Sequence, residues 1–69
     1  MMSRIEDERK RLTADFMQYV SEHNLLQSLE VQSVLRGEQF TLSGEMEAAR
    51  SKREFSKAAL LAFFQRTGA

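Results

Sequence analysis

Apolar residues recur along this chain in two helical rhythms separated by one short break. At ~100° per residue, Ile5, Leu12, Phe16, Tyr19 and Val20 fall on one arc together with His23, while Lys10, Gln18 and Ser21 lie opposite. That pattern predicts an amphipathic first helix over about 4–23. Its start is marked by Ser3 and Glu6, the spacing of a capping box, in which two side chains satisfy each other's free backbone amides. Glu6, Asp7 and Glu8 then sit near the positive end of the helix dipole, with Arg9, Lys10 and Arg11 behind them. Glu6–Lys10 and Asp7–Arg11 are i,i+4 pairs in the favourable order.

Around residues 21–24 the stripe loses phase. Continuing it would put His23, Glu30 and Ser33 in the seam, whereas the apolar residues are Leu25, Leu26, Leu29, Val31, Val34 and Leu35. Asn24 followed by Gln27 also resembles a helix start, so a break near Asn24 is expected, with a second helix over 25–36. One continuous helix over 4–36 is the alternative. Gly37 should close this segment as a left-handed cap. Phe40 and Leu42 alternate with polar neighbours and should fold over the bundle end. Ser43 is the expected N-cap of a last helix over 44–66.

On that last helix Ala48, Ala49, Phe55, Ala59, Leu60, Ala62 and Phe63 share one broad arc, and Arg50, Arg53 and Lys57 lie opposite, interleaved with Glu47 and Glu54. Leu61 and Phe64 then interrupt the charged side, leaving the final turns apolar nearly all round. The expected fold is all-α: a helical hairpin or three-helix arrangement in a single domain, 1–69, completed by dimerisation into a bundle.

Size makes the dimer expectation sharper. Chains below about 70–80 residues rarely draw more than ~3–5 kcal/mol from one core. This chain has 69 residues, no cysteine, no proline and a single histidine. Disulfides and thiolate metal sites are therefore excluded, and neither a metal nor a cofactor is expected. Ten basic residues balance ten acidic ones, without the basic excess that phosphate neutralisation favours. The charged stretch 1–11 is unlike a signal peptide. The longest apolar run, 58–64, is far short of the ~20 residues that span a bilayer. A soluble cytoplasmic protein is expected.

Candidate chemistry is sparse. Tyr19 and His23, four apart on the apolar arc, are read as a packed pair with no catalytic role. No phosphate loop, metal-ligand spacing or nucleophile–base arrangement occurs, so no catalytic residue is assigned. A helix-turn-helix is disfavoured because residues 25–35 lack the basic side chains of a recognition helix. The expected partner-binding residues are Leu61 and Phe64 as anchors, rimmed by Arg50, Arg53 and Lys57. The architecture is of the type found in small bacterial and phage hairpins that work as adaptors, chaperones or inhibitors. The first functional reading is a homodimeric, non-enzymatic protein-binding regulator with a heterologous protein partner and no membrane role. Alternatives are a nucleic-acid-associated accessory protein using the Arg50, Arg53 and Lys57 stripe, or a structural oligomerisation module.

Overall fold

The computed structural model describes residues 3–68, which form two helices, α1 (Arg4–Leu35) and α2 (Ser43–Thr67), folded into a hairpin. Ser3 caps α1 as its spacing predicts: its backbone is extended and its Oγ accepts the Glu6 N–H at 3.2 Å. Glu6 is paired with Arg9 at 3.1 Å, one residue closer than the expected i,i+4 partner. At the other end Gly37 is left-handed, with φ 71°. The Glu38 N–H donates to the Ser33 carbonyl at 2.9 Å and the Gly37 N–H to that of Val34 at 3.0 Å. These two bonds make a Schellman closure, which satisfies carbonyls that the helix leaves open.

The expected break at Asn24 does not occur. A single helix of 32 residues runs through it, so the separate helices over 4–23 and 25–36, and with them the three-helix arrangement, are replaced by a two-helix hairpin. The reason lies in the partner. One long, uninterrupted α2 offers a continuous groove, and a straight α1 keeps every backbone hydrogen bond while lying along it. A cap at Asn24 would save a weak local preference and lose that register. Ser43 also departs from expectation. Leu42 precedes the helix, offers no side-chain cap, and accepts the first backbone bond from Met46 at 2.9 Å. Half-buried Leu42 lines a hollow with Phe40, Leu29 and Ser33, and seating it there brings α2 in one residue early.

The helices meet along a repeat of alternating three and four residues. In α1 it runs Leu12, Phe16, Tyr19, His23, Leu26, Glu30 and Ser33; in α2, Met46, Ala49, Arg53, Ser56, Leu60, Phe63 and Thr67. Every one of these positions is buried or half-buried. A 3.5-residue repeat is the signature of coiled-coil packing, in which knobs of one helix enter holes of the other. Here the α1 seam turns polar toward the connection at Glu30 and Ser33, and the α2 seam is polar in its middle at Arg53 and Ser56, which is why hydrophobic periodicity alone lost it. Ser56 is accommodated because its Oγ donates to the Arg53 carbonyl at 2.9 Å. His23 is 4% exposed and its Nδ1 has no hydrogen-bond partner among the described residues.

Keeping this register leaves much apolar surface in water. Among the described residues the buried apolar side chains are Ala49 and Phe63, while Ile5, Met17, Leu25, Val31, Val34, Leu35, Phe55 and Leu61 are exposed. The molecule measures 53 × 21 × 15 Å, little thicker than a helix of about 10–12 Å. Its accessible surface is 5343 Å², roughly 900 Å² above the ~4,450 Å² expected of a compact monomer of this mass.

Two substitutions test this account. His23→Leu removes an unsatisfied buried polar atom and should raise stability by about 1 kcal/mol in urea unfolding. Gly37→Ala should lower it by about 1 kcal/mol. No atom lies within 4 Å of the added Cβ, so that loss would come from the left-handed backbone alone.

Candidate functional site: an apolar groove and a paired basic ridge

Two surfaces flank the seam, one on each side of α2. The first is a groove between the helices. Leu25, Leu26 and Glu22 of α1 line it with Glu45, Ala48, Ala49 and Lys52 of α2, enclosing about 370 Å³. Ala48 and Ala49 form its low floor, because a methyl side chain lets the surface sink toward the helix backbone. Lys52 continues into an adjoining hollow lined by Tyr19, Ser51 and Phe55, and its Nζ stands 5.9 Å from the centre of the Tyr19 ring. Glu45, Ala48, Lys52 and Phe55 are spaced three and four apart, so they form one stripe along α2. Phe55 projects from that stripe 78% exposed, and Leu25 from α1 62% exposed.

Sequence reasoning placed Phe55, Ala48 and Ala62 on the buried arc; all three are exposed. The buried line of α2 is Ala49, Ser56 and Phe63. The expected arc was too broad: seven residues spread well beyond the ≳ 100° stripe that one neighbouring helix covers. That excess width was the available signal that half of the arc would lie outside the contact with α1.

The second surface carries the expected partner-binding residues. Arg50, Arg53 and Lys57 share a ridge on α2, and each meets a carboxylate. Arg50 Nε donates to Glu47 at 3.1 Å. Lys57 Nζ lies 3.1 Å from Glu54, and Arg53 lies 3.6 Å from the same side chain. The Arg50 hydrogen bond, followed by its charge, lowers the Glu47 pKa, with a minor contribution from nearby His23. The same pairing raises that of Arg50. Glu54 is lowered chiefly by its bond to Lys57. Leu61 follows one turn beyond Lys57 and is exposed. Phe64 is half-buried, its ring edge-on to Phe63 with centres 5.9 Å apart. The connection bearing Phe40 and Leu42 cannot cover these two, since it closes the opposite end of the hairpin. Near Leu61 and Phe64 the helix ends are tied instead by Arg66 and Glu8 at 2.9 Å.

Among the described residues no three His, Cys, Asp or Glu side chains converge as a metal site would require. None of the described helices is long and apolar enough to cross a membrane. No family model, curated protein or solved structure matches the chain.

The ridge has a pH signature. Depressed carboxylate pKa values contribute stability that is present above the usual carboxylate range, about 4 to 4.5, and lost as pH falls through the lower folded values. Thermal stability should therefore decline below that range, and a Glu47→Gln, Glu54→Gln variant should lose this part of the decline. The pairs are exposed, so the effect should be small and weakened by added salt. Melting curves against pH at two ionic strengths check it.

Proposed function

We propose that this chain is a small, non-enzymatic protein-binding regulator or adaptor that acts by helix packing and works as a homodimer. One observation carries the reading: a single helical layer leaves large apolar side chains on both flanks, and among the described residues only Phe63 of them is fully buried. Exposed apolar patches of this kind mark interaction sites. A domain normally needs two layers around its core, and another helical surface is the natural second layer for a flat hairpin.

Leu61 is the anchor for a heterologous protein partner, supported from below by Phe64 and rimmed by Arg50, Arg53 and Lys57. Phosphate recognition is less well supported, because carboxylates already engage these three cations. With its charges interleaved, the ridge is better suited to steering a protein partner that carries both signs than to neutralising a polyanion.

The dimer reading is tested by sedimentation and by melting at several protein concentrations. Melting temperature should rise with concentration; a sharp monomer with concentration-independent melting would overturn it. For the ridge, Leu61→Ser is cleaner than a Phe64 substitution, since Leu61 is exposed and its loss leaves the seam intact. Partner capture should weaken by on the order of 2 kcal/mol, while Arg50→Ala should mainly alter the association rate and its salt dependence. Unchanged capture by a folded Leu61→Ser protein would remove Leu61 from the site.

A further inference from the structure

We infer that the groove on the Phe55 side of the hairpin is the self-association face, and that its occupant is Phe55 of a second copy. This rests on the homodimer reading and assigns it a surface. Phe55 is the most exposed aromatic side chain described, and it stands beside a groove that its own chain cannot fill. Seven residues separate it from Ala48 on the same rigid helix, which is about 10 Å at 1.5 Å per residue. Knob and hole are therefore fixed on one face at a distance the chain cannot close by itself.

A two-fold axis closes it. Symmetric dimers pair the same patch on both copies, so a residue and its recess exchange places across the axis. If α2 crosses its mate in antiparallel fashion with the axis beside Ser51, midway between Phe55 and Ala48, each Phe55 falls over the other copy's Ala48. There Leu25, Leu26 and Ala49 surround the ring. The recess of about 370 Å³ is ample, since a cavity of about 150 Å³ accepts a benzene ring. Ser51, Ala58 and Ala62 beside the stripe allow the helices to approach closely, while Lys52 of each copy stands next to the axis with its ammonium turned toward its own Tyr19 ring. Large then meets small across the interface, the condition for interdigitated packing.

The areas agree. The chain exposes roughly 900 Å² more than a compact monomer of its mass, and a standard stable interface buries about 800 Å² on each partner. An interface of that standard size on this face would bring the surface near the compact value. The Leu61 ridge, on the other side of α2, stays open in the dimer, so self-association and capture of another protein need not compete.

The absence of cysteine makes the test direct. Ser51→Cys in the full chain should oxidise to a covalent dimer as the main product, because a disulfide needs Cα atoms within about 7 Å of each other. Val31→Cys, remote from the axis, should not. Phe55→Ala should weaken dimerisation about 30-fold or more in sedimentation equilibrium. If the parent protein is monomeric throughout, the homodimer reading itself fails and this assignment with it. If the parent is dimeric but Ser51→Cys does not cross-link, or Phe55→Ala dimerises normally, the homodimer reading stands and this face is overturned. Should Phe55→Ala lose its helix content, the Ser51→Cys result decides, since that substitution leaves Phe55 in place.

Discussion

The molecule depends on a long contact between two helices with no second layer behind it. A helix pair can bury only one stripe of each member, and among the described residues those stripes carry three buried positions on α2 and one on α1. Phe63 is the single large apolar side chain among them. Among the described residues the other large apolar side chains are half-buried along the seam or exposed on the outer flanks. Packing of α1 on α2 alone therefore leaves apolar side chains exposed on both flanks.

That constraint explains why α1 tolerates a seam containing His23, Glu30 and Ser33. A straight helix retains its entire backbone ladder and lies along α2 from end to end. The alternative, rotating residues 25–35 to bury Val31, Val34 and Leu35, would interrupt α1 and break register with α2. A lone monomer gains little from either choice, because one partner helix cannot cover both groups. If a second layer is supplied from outside, the exposed leucines and valines become assets, and the polar seam becomes the lesser loss. His23 illustrates the compromise: an aromatic ring of useful size, set deep in the seam with one nitrogen unsatisfied.

The two flanks differ in kind. One has a recess floored by alanines beside a protruding phenylalanine, with Lys52 lying across Tyr19. The recess and the exposed ring lie on the same face of α2. The other is a convex, charged ridge whose cations are already held by Glu47 and Glu54, with Leu61 at its end. Shape distinguishes the first surface and charge pattern the second, and the proposed self-association and partner capture draw on these two faces separately.

Local signals in the sequence were sufficient for both ends of α1. Ser3 with Glu6 and Gly37 after the last turn each act within a few residues, and the structure uses both, whereas the N-cap of α2 passed from Ser43 to Leu42. The i,i+3 pairs Glu47–Arg50 and Glu54–Lys57 were equally legible, being neighbours on any helix. Whether α1 continued through Asn24, and which half of α2's wide apolar arc turned inward, were not legible. Both are settled by the other helix, which selects one stripe out of an arc too broad for it. Phe55 could be read as apolar and helical from sequence, yet only the packing of α2 on α1 left it outside, because a residue's side of a helix has no meaning until a neighbour occupies one of them.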